Sequence, residues 1–215
     1  MRRAQPAPHR AFGLGEARER SLLLGGFLLA FVLLGLAPHD RGDWLLENLL
    51  VAALGLGLFA VRRWFRPSPA ASRRLFLFLL VHEIGAHYTY SRVPYDQAWT
   101  WLSGFSLDAA LGWRRNQFDR LAHGLYGFLL VLPWRELLER LGLRRSLAGF
   151  LAIDLVLSTS ALYELIEWLG GEYLGGARSA AFVGAQDDAW DAQKDMALAL
   201  GGALLASILA LRRRS

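Results

Sequence analysis

The sequence contains no cysteine, and this absence excludes one group of chemistries at once. None of the 215 residues can form a disulfide, supply a thiolate to zinc or act as a thiol nucleophile. A soluble basic surface is also lacking, although the net charge is +5. The arginines lie mainly between apolar blocks, where basic residues set membrane topology, so we expect no nucleic-acid partner.

Apolar residues make up 54% of the chain and fall into blocks near the ~20 residues that cross ~30 Å of hydrocarbon. We therefore predict an all-α fold, a polytopic transmembrane helix bundle formed by residues 21–211. A signal peptide would also begin with a basic tail before an apolar run, but Pro38 suits cleavage poorly and further spans follow. The six predicted spans are 21–37, 44–61, 75–90, 118–134, 147–169 and 194–211.

The distribution of basic residues predicts how the chain is threaded. Six crossings with both termini in the cytoplasm place seventeen of the 24 basic residues on one side. That side carries the basic tail 1–20, the connections 62–74 and 135–145, and the basic end 212–215. Cytoplasmic segments are enriched in Lys and Arg, so this asymmetry predicts six spans with both termini cytoplasmic.

The longest polar connection, residues 91–117, contains several large aromatic residues. Trp99, Trp101, Phe105 and Trp113 are spread through it. Aromatic residues are enriched at membrane–water interfaces, so we expect a loop or short helix in the headgroup zone there.

An acidic stretch precedes the last apolar block. In a helix, Asp187, Asp188, Asp191 and Asp195 would share one arc, with Lys194 at its edge. Acids at the rim of a membrane helix usually face the bundle interior or water, so the arc indicates a site. Asp187 and Asp188 suit an N-terminal helix cap equally well.

Four predicted spans carry a pair of acidic or histidine residues in the outer half of the membrane. Depth is judged at ~1.5 Å per residue from the cytoplasmic arginines. The members of each pair are three or four residues apart and so share a helix face. The pairs are Glu83 with His87, Asp119 with His123, Glu164 with Glu167, and Asp191 with Asp195. In the inner half only Asp154 is comparable.

Carboxylates and imidazoles from facing helices are the ligands of metal sites in helix bundles. The sequence therefore predicts a divalent metal such as Zn, Mn, Fe or Mg. A metal-bound water could attack a lipid or envelope precursor, with Glu164 or Glu167 as general base and Arg120 as anion clamp. The candidate metal ligands are Glu83, His87, Asp119, His123, Asp191 and Asp195. The expected partners are membrane lipids and a lipid-linked substrate.

Two other interpretations of the polar layer remain open. Arg120 and Lys194 could neutralise the acids by ion pairing, which would make the layer a structural clasp without metal. The same acids could instead relay a proton or cation, although a transport path needs polar residues that continue through the inner half. Trp168 and Trp190 are more typical of interface anchors than of substrate platforms.

Four motifs occur in order along the chain: His87-Tyr88-Thr89-Tyr90-Ser91 with Val93-Pro94; Phe118-Asp119-Arg120-Leu121-Ala122-His123; Tyr163-Glu164-Leu165-Ile166-Glu167-Trp168; and Gln186-Asp187 with Trp190-Asp191, Gln193 and Asp195-Met196. With these motifs the sequence resembles the YjdF-like family of bacterial inner-membrane proteins over roughly residues 20–211. In that family Gly is commoner than Asp188 and Trp is commoner than Lys194, so these two are weaker site candidates. The resemblance implies a multi-pass protein of the inner (plasma) membrane and no particular activity.

Overall fold

The computed structural model describes residues 14–62, 65–174, 186 and 188–212, and all the regular structure in these ranges is helical. The described helices are α1 Leu14–Leu36, α2 Arg41–Val61, α3 Pro69–His87, α4 Tyr95–Ser103, α5 Leu107–Leu111, α6 Phe118–Arg140, α7 Arg145–Leu174 and α8 Asp191–Arg212. The predicted all-α class is confirmed.

Within the described residues, four helices are long and apolar enough to cross a membrane. They are α1, α2, α7 over Arg145–Tyr173, and α8. Helices α3 and α6 occupy the places of the predicted third and fourth spans but carry more charge, which lowers their apolar character. The membrane character of the chain is therefore confirmed, whereas the count of six spans and the cytoplasmic termini stay predictions.

Two helix boundaries differ from the predicted spans for local reasons. Helix α1 begins at Leu14, inside the segment predicted as a polar tail. Helix α3 ends at His87 because the chain turns at once, with positive φ angles of 54° at Thr89 and 48° at Tyr90. The Tyr90 ring folds back over Gly85, where an added Cβ would lie 2.6 Å from it. Only glycine leaves room for this turn.

The predicted polar connection contains two short helices, α4 and α5. Ser106 caps α5 by accepting a hydrogen bond from the backbone N–H of Ala109, and Tyr95 donates to Asp108 at 2.6 Å. The aromatic side chains are exposed, with Trp101 83% accessible. The short-helix form matches the expectation, and the headgroup position remains a prediction.

Small residues bring α6 and α8 into backbone contact. A Cβ on Gly127 would lie 1.8 Å from the carbonyl oxygen of Ala199, and one on Gly202 would lie 2.2 Å from that of Gly124. Close approach through small residues is the usual means of helix association in membranes, where burial of apolar surface gives little driving force. The buried core that α6, α7 and α8 share also consists of small and medium-sized residues. Its members are Val131, Ala152, Val156, Ala199, Ala203 and Ala206.

The remaining long helices surround this unit. Helix α3 packs on α6, α1 packs on α3, and α7 packs on both α6 and α8. Helix α2 packs chiefly on α3, so it stands apart from α6 and α7. Near the C-terminal end of α6, the carboxylate of Glu136 accepts hydrogen bonds from Ser68, which caps α3.

Candidate functional site

Helices α6 and α8 begin at the same level, and the segments before them are tied together. The backbone N–H of Asn116 donates to the Gln186 side chain at 2.9 Å, and that side chain donates back to the Asn116 carbonyl at 3.2 Å. Asp119 lies in the first turn of α6 and Asp191 opens α8. Both acids therefore sit at helix N-termini, whose dipoles favour negative charge.

Asp119, Asp191 and Asp195 form a compact group at this point, hereafter the carboxylate cluster. Each offers an oxygen within 4.8 Å of those of the other two, and all three residues are buried. Asp195 is only 1% exposed. Three acids from two helices thus meet where solvent scarcely reaches.

His123 connects the carboxylate cluster to α7. Its Nε2 is 3.7 Å from Asp119 Oδ1 and 3.3 Å from Glu164 Oε1, while Nδ1 is 3.3 Å from the Ser160 hydroxyl. Glu164 thereby reaches the cluster through the imidazole. The predicted pairing of Asp119 with His123 on one helix face is present as a contact.

Two arginines, Arg115 and Arg120, neutralise part of this charge and are called the arginine pair below. Arg115 binds both oxygens of Asp191, with Nη2 3.1 Å from Oδ2. Arg120 Nη2 lies 3.1 Å from Asp191 Oδ1 and 2.5 Å from Asp188 Oδ2. Lys194 also binds Asp188 at 2.5 Å.

Asp188 belongs to this ion-pair network and also stabilises the turn before α8. Its Oδ1 accepts a hydrogen bond from the backbone N–H of Trp190 at 3.1 Å. The pKa of the Asp188 carboxyl is lowered by hydrogen bonds from Lys194, from the Trp190 backbone N–H and from Arg120. The carboxyl therefore stays ionised at neutral pH. Asp187, predicted beside it, lies outside the described residues.

Three carboxylate oxygens around His123 and the carboxylate cluster accept no well-formed hydrogen bond from the described residues, although His123 lies near two of them. They are Asp119 Oδ1, Glu164 Oε1 and Asp195 Oδ1, and each is buried. An unpaired buried carboxylate oxygen is costly, and its need is met by a proton or a cation. The residues therefore fit a divalent cation, since oxygen donors with one imidazole suit Mg, Mn, Fe or Zn.

The other candidates lie beside this arrangement rather than in it. Glu83 is fully buried against α2, where it faces Asn48 and Trp44 without a well-formed hydrogen bond. His87 is directed to α1, with Nδ1 2.7 Å from the Leu34 carbonyl oxygen. Glu167 is buried near Tyr163. The structure thus brings together Arg120, Asp119, His123, Glu164, Asp191 and Asp195.

Two polar residues at or beside the site, Arg115 and Glu47, were not singled out as candidates from the sequence. Arg115 lies in the aromatic-rich connection, where it counted only as charge on the outer side. Glu47 of α2 accepts hydrogen bonds from the Tyr163 hydroxyl at 2.9 and 3.1 Å and is 5% exposed. An acidic residue inside an apolar block indicates a functional or paired position in a membrane helix, and Glu47 could have been identified on that ground.

An elongated cavity of about 530 Å³ extends from this polar region between α2 on one side and α6 and α7 on the other. At one end it is lined by Asp119, His123 and Tyr163. At the other it is lined by Val61, Phe65, Pro67, Trp134 and Leu137. Its walls are otherwise mainly apolar, and along α6 it runs about 27 Å at ~1.5 Å per residue.

The helices and their buried acids define a polytopic α-helical membrane protein. Comparison with known proteins gives the family. The chain belongs to the family described as "Predicted membrane protein (DUF2238)", whose model matches residues 20–215. It is similar to the "Inner membrane protein YjdF" of Escherichia coli (strain K12), with 35% identity over 186 residues, which is 86% of this chain and 85% of that protein. No solved structure matches.

The YjdF-like resemblance inferred from the four motifs is therefore confirmed. Together with the apolar helices, it places the protein in the bacterial inner membrane as a multi-pass protein.

Proposed function

We propose that the protein carries out divalent-cation-dependent hydrolysis or transfer on a membrane lipid or lipid-linked envelope precursor. The observation that supports this most is the cavity, whose mainly apolar walls lead to Asp119 and His123 at the edge of the carboxylate cluster. The apolar walls would accommodate an acyl or isoprenoid chain much as the surrounding lipid does, so a chain lying along the cavity would place the head of a lipid at the carboxylate cluster.

The proposal assigns a role to each polar group. The carboxylate cluster and His123 would hold the cation, which supplies an activated water and polarises an ester or phosphoester oxygen. Glu164, 3.3 Å from His123, would serve as the general base for that water. Arg120 borders the same space and would orient an anionic headgroup. Glu167 lies beside Glu164 as a supporting acid.

A structural clasp is the second candidate function. The arginine pair, Asp188, Asp191 and Lys194 form a connected ion-pair network between α6 and α8, as a clasp requires. A cation or proton path is less favoured, because the far end of the cavity is lined by apolar side chains.

The proposal includes six membrane crossings with both termini in the cytoplasm. Reporter fusions measure this directly, since each reporter is active on one side of the membrane. We expect outer-compartment activity at Asp40, Phe105 and Ala180, and cytoplasmic activity at Ser68, Gly142 and Ser215. A cytoplasmic signal at Phe105 would show that α3 or α6 does not cross the membrane. It would contradict both the six-span topology and the outward-facing site.

Two glycines of α2 provide a matched test of the lipid channel. Gly57 lines the cavity and Gly55 does not, and an added Cβ meets nothing within 4 Å at either position. Gly57→Trp should fill the channel and lower the amount of co-purified lipid several-fold, whereas Gly55→Trp should leave it unchanged. Native mass spectrometry of protein extracted in mild detergent measures the bound lipid. Equal lipid in the parent and both variants would contradict the proposal.

A further inference from the structure

Asp154 of α7 is a carboxylate on the outer face of a membrane helix. It lies nine residues after Arg145, about 14 Å along the axis at ~1.5 Å per residue, and so near the middle of the hydrocarbon layer. Its side chain is exposed, and the described residues provide it with no hydrogen bond or ion pair. The site proposed above does not use it.

The orientation of Asp154 follows from the packing of α7. The helix buries a ridge of Ala148, Ala152, Val156 and Ser160 against α6 and α8. Asp154 is two residues from both Ala152 and Val156, which places it ~200° from each, on the opposite face. It therefore points away from its own bundle.

A carboxylate in this position needs a partner that the isolated chain does not supply. Charged residues within membrane segments almost always face a bundle interior, a water-filled cavity or another polar group. An aspartate side chain is too short to reach the headgroup region from this depth, unlike the long side chains that extend to the interface. The outer face of α7 is therefore expected to be covered by protein.

The same face contains a complementary group. Ser158 lies one turn after Asp154, is also exposed, and follows it on the ridge formed by Phe150, Asp154, Ser158 and Leu162. Across the central turns of the other described helices, the outward side chains are apolar. The chain thus presents one acceptor and one donor at adjacent heights, on a single face.

We propose that this ridge is the interface between two copies of the chain, related by a two-fold axis along the membrane normal. Both copies insert in the same direction, so Asp154 and Ser158 have the same depth in each. The axis sets Asp154 opposite Asp154, so that one carboxyl, protonated, donates to the carboxylate of the other copy, and one turn away the two Ser158 hydroxyls hydrogen-bond to each other. A second copy supplies a matching carboxyl and a matching hydroxyl at the same depths, which is why it is favoured over an unrelated helix.

Oxidative cross-linking in native membranes tests this interface, helped by the absence of native cysteine. Phe150→Cys places one thiol per copy on the ridge and keeps Asp154 and Ser158 intact. Ile208→Cys on α8 is the matched control, since Ile208 is also exposed and lies at a similar distance from a basic helix end. With a copper–phenanthroline oxidant, we expect a disulfide-linked dimer from Phe150→Cys and little from Ile208→Cys.

Removal of the hydrogen bonds should weaken the dimer without affecting the monomer fold. In the Phe150→Cys background, Asp154→Leu and Ser158→Ala should each lower the dimer yield, up to about tenfold for the pair of bonds lost. Their melting temperatures in detergent should stay at the parent value, because both side chains are exposed and none of the described residues forms a hydrogen bond or ion pair with them. Equal cross-linking of the two cysteine variants, a disulfide to a different protein, or dimer yields unaffected by Asp154→Leu would each overturn the proposal.

Discussion

Gly202→Ala is expected to destabilise the protein by about 1–3 kcal/mol, as overpacking of a filled interior does. The added Cβ would lie 2.2 Å from the backbone carbonyl oxygen of Gly124. Backbone cannot rotate away as a side chain can, so α6 and α8 must separate. Since these two helices carry the carboxylate cluster, we expect the lower melting temperature in detergent to be accompanied by loss of bound cation.

The neighbouring glycine provides the control for this substitution. Gly201 lies in the same turn of α8, and a Cβ there meets nothing within 4 Å. Gly201→Ala should leave the melting temperature unchanged or raise it, by up to about 1 kcal/mol, because alanine favours the helix over glycine. If both variants lost stability equally, the cause would be the helix itself rather than the α6–α8 contact.

Asp195→Asn is expected to abolish cation binding with little loss of fold stability. Elemental analysis of protein purified without chelator should find about one divalent cation per chain in the parent and far less in the variant, because a site built from several ligands weakens as a whole when one is lost. Asp119→Asn should behave similarly, and the double variant should add little, since the second ligand leaves an already empty site.

Asp191→Asn separates the cation site from the structural clasp. Asp191 binds both members of the arginine pair, so its loss removes one carboxylate partner from each of two partly buried guanidinium groups and should lower stability by about 1–3 kcal/mol with or without cation. Asp195 Oδ1 accepts no hydrogen bond in the described part of the chain, so Asn at that position should cost less. A parent protein without cation, in which both variants lose stability equally, would support the clasp and end the hydrolysis or transfer proposal.

The helices could be located from the sequence because a membrane permits few alternatives. An apolar block near ~20 residues must satisfy its backbone groups internally, and an α-helix does so. The pairing of Asp119 with His123 was accessible for a similar reason, since residues four apart share a helix face. Their proximity to Asp191 required only that α6 and α8 start at one level.

Rotation of each helix about its axis could not be obtained in the same way. Glu83 and His87 show the same four-residue spacing, yet they point to α2 and α1. That rotation is decided by contacts distant in sequence, such as Tyr90 folded over Gly85 and Gly127 against Ala199. Arg115 was missed because a connection has no helical periodicity from which to predict its direction.

The attachment of α2 has a consequence for the rates at which the cavity could exchange its contents. Helices α6, α7 and α8 hold one another closely, whereas α2 is held chiefly by α3. A segment with few apolar contacts has a low free energy of local opening, and it opens far more often than the whole protein unfolds. A lipid would therefore leave sideways past α2, while the carboxylate cluster between α6 and α8 keeps its arrangement. The rate of lipid exchange would then depend on α2, and the geometry of the carboxylate cluster on α6 and α8.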